Sequence, residues 1–582
     1  MTPRNEYPRP QMVREEWMCL NGEWQFEIDG GDSGRERGLL ERPLSGRITV
    51  PFCPESELSG IGCTDFMNAV WYRRTFRRPA AWRGRDVLVH FQAVDYETTV
   101  WGNGVELTRH RGGFTPFSCV LPDADEVTLV VRARDLRNEV KPCGKQTFYQ
   151  HNNFCCNYTR TTGIWQTVWA EPVAKCAFER PRITPRLDRP GFDFALPLRN
   201  RRLGQGMKIM LRMAGETIET TVGSDFTPAL EIKIRSPRLW SPEDPHLYDW
   251  ELTLLDGDKT VDRIYGYAGL RGIAFDGRKV LLNGRPVFQR LVLDQGYYKD
   301  GLMTAPSDEA LENDILLSKA AGFNGARLHQ KVFEERFLYH ADRLGYLVWG
   351  EYGDWGMQFA PMTVPNPEFN QPFAAMFAQW SEALARDFNH PSIIGWCPLN
   401  ETSRRKEDIY QALVDVTAGL YNFTKLADPT RPVLDVSGYC HCVHNADVCD
   451  SHDYTQDVEK FKTEMENFFM NSTECINSVA YAGQPYFCSE FGGIKWNPAM
   501  LENTGESWGY GDAPRNLEEF YARFAGLCGV QLDNPELFGY CYTQLTDVFQ
   551  EQNGVYNFDR TPKFPVEPLR EAQIRTAAIE KK

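Results

Sequence analysis

At 582 residues the chain is too long for one hydrophobic core and divides into about three or four domains. A formal charge of −15, with no basic stripe set against it, excludes a nucleic-acid partner. No stretch approaches the ~18 apolar residues that a membrane span needs, so no membrane partner is expected.

The opening stretch MTPRNEYPRPQMVREEW lacks the apolar run of a secretory signal. With sixteen cysteines, this predicts a cytoplasmic protein whose thiols stay reduced. From about Asn21 to Ala170 short strands alternate with turns. Val87, Val89 and Phe91 recur at period two, and Thr99–Trp101 runs into Gly102-Asn103-Gly104, a hairpin signal. Val127–Arg132 and Gly163–Trp169 add strands, and no helical apolar stripe intervenes. Residues 1–178 are therefore expected to form a β-sandwich of jelly-roll type. Between Pro181 and Ala274, Met207–Met213, Leu230–Ile234, Trp250–Leu255 and Arg263–Tyr267 again alternate at period two. That strand density predicts an immunoglobulin-like sandwich over 179–275.

After Gly284 the rhythm changes to strand, helix, strand. The first strand is expected at Val287–Asp294. Ser307 offers a helix N-cap, with Asp308 and Glu309 in the first turn and Gly322 as the stop. Phe323–Leu328 follows as a strand, then a helix face of Phe333, Phe337, Ala341 and Leu344 closed by Gly345. Further strands are expected at Tyr346–Glu351, Ser392–Leu399, Pro432–Ser437, Asp447–His452, Pro485–Glu490 and Leu537–Gln544. This repeat predicts a (β/α)8 TIM barrel over 276–582, with too short a link between the fifth and sixth strands for a regular helix. In the same region Cys440, His441, Cys442, His444, Cys449 and His452 resemble a soft-metal set by residue type. Their spacing makes no paired C-x-x-C or H-x-x-x-H knuckle, so a cysteine-rich strand and loop is expected, with no metal.

Reacting groups in such barrels sit where the strands end. Polar residues gather there: Asp294, Arg327, His329, Glu351, Trp355, Asn400, Glu401, His452, Asp453, Tyr454 and Glu490, then Gln544 and Asp547. Glu401 and Glu490 each follow a buried apolar strand and end on one rim. Two carboxylates suit glycoside hydrolysis, which needs a proton donor at the leaving oxygen and a partner for the positive sugar ring. A close pair also splits its own pKa values, leaving one acid and one carboxylate near neutral pH. The Asn400 amide beside Glu401 suits a sugar hydroxyl.

The motifs LNGEW (Leu20–Trp24), VWYRR (Val70–Arg74), TGIWQTVW (Thr162–Trp169), LWSPEDPHLY (Leu239–Tyr248), LNGRPVFQR (Leu282–Arg290), AGFNGARLH (Ala321–His329), WGE (Trp349–Glu351), the Asn400-Glu401 pair and SEFGG from Ser489 span nearly the whole chain. In this order they resemble glycoside hydrolase family two, whose members include β-galactosidases, β-glucuronidases and β-mannosidases. The resemblance implies Glu401 as general acid/base and Glu490 as nucleophile of a retaining exo-β-glycosidase that needs no cofactor. It places Tyr454 near the nucleophile and puts Tyr542 where the family has a strand-eight tryptophan. A catalytically silent sugar-binding protein is the rival from another class; it would be expected to have lost one of the carboxylates or Asn400.

There are departures. Family β-glucuronidases read the substrate carboxylate with an Asn-x-Lys element after strand eight. Here TDVFQEQNGVYNFDR (Thr546–Arg560) has Asn553-Gly554 where the lysine is expected, and Lys331 and Lys495 are the candidate substitutes. A neutral glycoside, foremost a β-galactoside, is therefore the expected substrate. A hexuronide (glucuronide or galacturonide), a β-mannoside and an arabinose-type glycoside stand as alternatives, and a homo-oligomer is an open option.

Overall fold

A computed structural model describes residues 2–136, 139, 141–147, 153–224, 226–355, 372–402, 410–438, 440–467, 478–497 and 507–581. The N-terminal part is a sandwich of two antiparallel sheets. One is six-stranded, in the order Gly46–Val50, Gly22–Ile28, Ala69–Arg77, Glu126–Arg134, Glu97–Gly102, Val105–Arg111. The other is four-stranded, in the order Met18–Cys19, Val168–Val173, Asp86–Phe91, Phe117–Val120. The period-two pattern explains the layering: Val87, Val89 and Phe91 face Trp24, Phe26, Val100, Leu129 and Val131 in one core, and Leu88 faces out. The hairpin at Asn103-Gly104 forms as expected, with φ of 50° and 82°, a conformation that Asn and Gly adopt cheaply.

A second sandwich follows. Its three-stranded sheet runs Arg182–Arg186, Gly191–Ala195, Ala229–Lys233, and its four-stranded sheet Glu216–Thr221, Lys208–Met213, Tyr248–Asp256, Lys259–Ala268. The proline-rich turn after Leu239 docks it on the rest of the chain: Trp240 is buried and donates its Nε1–H to the Asp342 carbonyl at 2.8 Å.

The C-terminal part is a parallel sheet that curls into a barrel. We number its strands β1 (Gln289–Asp294), β2 (Gly325–Leu328), β3 (Leu347–Glu351), β4 (Ile393–Cys397), β5 (Cys449–Asp453), β6 (Tyr486–Gly492) and β7 (Leu537–Thr543). They lie in the order β4-β3-β2-β1-β7-β6-β5. Helices lie between strands as the sequence signals require. Ser307 caps Asp308–Ala320 by accepting the Ala310 N–H, and Gly345, at φ 64°, ends Glu335–Leu344.

One expected strand is replaced by something else. Residues 432–437 close the gap between β4 and β5 without forming a regular ladder. On the β4 side the backbone bonds are present: Trp396 N to Pro432 O, Leu434 N to Trp396 O, Ser437 N to Leu399 O. On the β5 side carboxylates stand in for backbone, with Val433 N donating to Asp447 and Gly438 N to Asp450. The barrel closes there through side chains, which is why a strand pattern misreads this segment.

Candidate active site

Pleat parity decides which strand-end residues enter the barrel. On β2 the inward position is Arg327, followed two residues later by His329; on β3 it is Glu351. Along β6 the register against β5 slips by one residue at Ser489, a β-bulge that turns Glu490 toward the centre opposite His452. Glu401 follows β4 at φ 49°, an uncommon conformation for a side chain other than glycine, and its N–H is held by the Ser437 carbonyl at 2.8 Å.

An oxygen of Glu401, a ring nitrogen of His452 and an oxygen of Glu490 lie within 4.8 Å of one another. His452 Nδ1 is 2.8 Å from Glu401 Oε1 and 3.5 Å from Glu490 Oε2, and its Nε2 is 2.9 Å from Ser437 Oγ. By type the trio also makes a metal-ligand set. Here Glu490 already takes Arg327 and the Tyr454 hydroxyl, and Glu401 takes His452, so much of its lone-pair capacity is in use.

Arg327 is fully buried and organises the floor. Its Nε meets Glu351 Oε2 at 2.5 Å, its Nη1 the Ser489 carbonyl at 2.8 Å, and its Nη2 both Asn400 Oδ1 at 2.5 Å and Glu490 Oε1 at 3.0 Å. His329 Nδ1 completes the set, 2.9 Å from Glu351 Oε1. Burial alone would push the Glu490 carboxyl up. His452, Arg327, His329 and Lys145 outweigh it and hold the group below the usual carboxylate range, ionised at neutral pH. For His452, burial pulls down while Glu490 and Glu401 pull up, and the net shift is upward.

Tyr454 donates to Glu490, lies 3.0 Å from Thr543 Oγ1 and stacks on Tyr510 with ring centroids 3.4 Å apart. Trp355 donates its indole N–H to the Asn400 carbonyl at 3.0 Å. The Asn400 Nδ2 is buried and has no hydrogen-bond partner among the described residues, a donor left over for a ligand.

Other expected site residues turn elsewhere. Tyr542 has the wrong parity: it faces the helix layer among Phe323, Phe491 and Phe524, accepts the Ile494 N–H, and leaves Thr543 to face the site. Asp453 also points outward and accepts the Thr455 N–H. The Asp294 carboxylate closes its own loop on Gly296 N, with its field set by burial and then Asp314. Gln544 donates to Asn553, and Asp547 takes Lys563 and the Gly554 N–H. Neither lysine offered as a substitute cation reaches the pair. Lys331 is spent on the Gly296 and Met303 carbonyls, at 2.6 and 2.8 Å, and Lys495 on the Ser507 carbonyl at 2.8 Å. In the cysteine-rich stretch His441 binds Asp435 at 2.8 Å and the Asp450 carbonyl at 3.2 Å, and Cys440 and Cys442 pack on Leu413.

Two matched family models cover more than half of the chain: glycosyl hydrolases family 2 over residues 208–271, and the TIM barrel domain of the same family over 274–527. The chain belongs to glycoside hydrolase family 2. It is therefore a hydrolase of O-glycosyl bonds. A β-glucuronidase from Paenibacillus borealis is 25% identical over 458 residues, 74% of each chain. A β-galactosidase from Aeromonas hydrophila is 29% identical over 467 residues, 73% of this chain and 42% of that one. Among solved structures, a family 2 β-galacturonidase from Eisenbergiella tayi bound to galacturonate superposes with a TM-score of 0.75. It is 21% identical and the match spans 97% of this chain and 99% of that one, which establishes the shared fold. Around the pair the structure also brings Lys145, Ser437, Thr543 and Tyr510, which the sequence patterns do not single out. Thr543 was within reach of a parity argument from Tyr542. The others reach the site only through tertiary structure.

Proposed function

We propose that the protein is a retaining exo-β-glycosidase acting on β-linked hexuronides, with Glu490 as nucleophile and Glu401 as acid/base. The observation that carries the mechanism is the short span across the site. Retaining pairs stand about 5–5.5 Å apart and inverting pairs about 6.5–9.5 Å, because the latter must admit a water; the nearest oxygens here are within 4.8 Å. Glu490, held ionised by His452 and Arg327 and oriented by Tyr454, attacks the anomeric carbon while Glu401 protonates the leaving oxygen. Glu401 then takes a proton from the water that releases the sugar. The Asn400 amide, unpartnered among the described residues, suits the sugar 2-hydroxyl, where hydrogen bonds strengthen at the transition state.

The glycone reading departs from the expected galactoside. The relative named β-glucuronidase and the fold neighbour named β-galacturonidase support the hexuronide alternative. A β-galactoside is the second reading, favoured by the relative named β-galactosidase and by Asn553 in place of the expected lysine. A panel of nitrophenyl β-glycosides tests both. We expect the highest kcat/KM on the glucuronide or galacturonide, and NMR should show the β-anomer as the first product. A galactoside at the head of the panel overturns the glycone, and an α-anomer formed first overturns the mechanism.

A further inference from the structure

Among the described residues Lys141, Lys145 and Lys331 are buried, and the Lys563 side chain is buried on Asp547. Lys141 is tied to Asp135 and the Leu136 carbonyl, and Lys331 to two carbonyls. Lys145 differs. Among the described residues its ammonium makes no hydrogen bond and no carboxylate oxygen lies within 4.0 Å, although the residue is only 7% exposed. The ammonium is held in a cleft that solvent still reaches, short of full hydration and without an acceptor among the described residues, so it gains when an anion arrives to meet it.

The fold takes trouble to put it there. Cys143 N donates to the Trp355 carbonyl at 2.8 Å and Gly144 N to the Gly353 carbonyl at 3.1 Å, which pins this loop of the N-terminal sandwich to the barrel rim. Gly144 has φ 62°, and a Cβ there would stand 2.1 Å from the Gln330 carbonyl oxygen, so only glycine passes. Tyr158 N then donates to the Lys145 carbonyl at 2.7 Å. The ammonium rests 5.2 Å from the centroid of the Trp355 ring, the same indole that bonds the Asn400 carbonyl next to Glu401.

On the other side is Glu551, whose oxygens already take the Tyr158 hydroxyl at 2.5 Å and the Asn553 amide at 3.3 Å. Burial lowers the Lys145 pKa, but Glu551, Cys156, Glu490 and Glu401 outweigh it and keep the group charged. The bland role is a counterion for Glu551. Against it, the two make no ion pair, and Glu551 is satisfied by neutral donors.

Resting on the hexuronide reading above, we propose that Lys145, delivered by the N-terminal sandwich, is the specificity residue that pairs with the carboxylate of the sugar. It supplies the cation that Asn553 cannot, and makes a charge-assisted hydrogen bond that a neutral hexoside lacks. The same bond is lost when the carboxylate is replaced by an uncharged carboxamide of nearly the same shape.

The test compares kcat/KM for nitrophenyl β-glucuronide and β-galacturonide, their 6-carboxamides, and the neutral galactoside. It uses the full chain and its Lys145→Met, Lys145→Gln and Lys145→Arg variants, with thermal unfolding of each. We expect the parent to prefer acid over amide, that preference to fall about 10- to 100-fold in Met and Gln, and Arg to restore part of it. A parent that prefers the acid and keeps that preference in a folded Met or Gln variant overturns the assignment and leaves the hexuronide reading standing. A parent that prefers the galactoside to both uronides overturns the reading itself, and the Lys145 assignment with it.

Discussion

The rim of the barrel carries two unlike sets of strand-end residues, an inward arc and an outward arc set by side-chain direction and not by contiguous strands. Along β2, β3, β4 and β6 the strand ends send Arg327, Glu351, Asn400 and Glu490 inward, where each charge is met by an opposite one. Asp294 at the end of β1, Asp453 beside the inward His452 on β5 and Tyr542 beside the inward Thr543 on β7 occupy comparable places in sequence but serve their own loops or the helix layer. The difference shows that a polar residue at a strand end is a candidate only if pleat parity turns it inward. A single bulge, as at Ser489, can decide that. It also shows where the chemistry is concentrated, and the two arcs should respond to mutation very differently.

The largest effect is expected at Glu490. Glu490→Ala should lower turnover on all substrates by on the order of 10⁵-fold, the scale of losing a nucleophile. Added azide should restore turnover on activated glycosides and give the inverted glycosyl azide. Next comes Glu401→Ala, with a loss of roughly 10²–10⁴-fold on alkyl glycosides and little loss of the glycosylation step with dinitrophenyl leaving groups, which need no proton. Equal losses on the two leaving groups would remove Glu401 from the acid role.

Arg327→Met tests the same arc through stability. It leaves Glu351 and Glu490 buried without their guanidinium, and should cost about 3–5 kcal/mol, read by denaturant or thermal unfolding. A loss under ~1 kcal/mol would mean that the carboxylates take up protons or water instead.

His452→Gln probes the charge that heads those pulling Glu490 down. Glu490 is depressed in the fold, so its contribution to stability is present above the ordinary carboxylate pKa and is lost as pH falls through the folded value. His452 is raised, so its contribution is present below the ordinary histidine pKa and is lost as pH rises through its folded value. Replacing the imidazolium should move the acid limb of kcat/KM upward by roughly one unit. A downward shift or none would separate His452 from the nucleophile.

Much of this arrangement is legible in sequence because it is local. Period-two runs, the Asn103-Gly104 turn, the Ser307 cap and the Gly345 stop each act within a few residues, and Glu401 and Glu490 follow apolar strands directly. The rest depends on structure that sequence spacing does not carry. The 432–437 segment pairs on one side through Asp447 and Asp450 carboxylates, which a propensity argument cannot anticipate. Lys145 lies in a loop of another sandwich, and its only local sign is the glycine before it. Tyr542, which the resemblance puts at the site, packs in the helix layer while Thr543 faces the site, and one residue of parity is enough in a strand to exchange site for core.

Tyr542 is therefore where the smallest effect is expected, and where the contrast between the arcs is easiest to break. Tyr542→Phe keeps the ring that packs on Phe323, Phe491 and Phe524, and removes only a hydroxyl that accepts the Ile494 N–H at 3.3 Å. Losing one such acceptor should cost about 0.5–1.5 kcal/mol of stability. Because the group faces the helix layer, kcat/KM should stay within about twofold of the parent, the range of a surface change away from the chemistry. Thr543→Val on the inward side supplies the contrast. It removes the hydroxyl 3.0 Å from Tyr454 Oη, and should cost more activity than stability. A Tyr542→Phe variant that folds as well as the parent yet loses tenfold or more in kcat/KM would show that the strand-eight aromatic does act on the sugar, and the division of the rim by parity would fail.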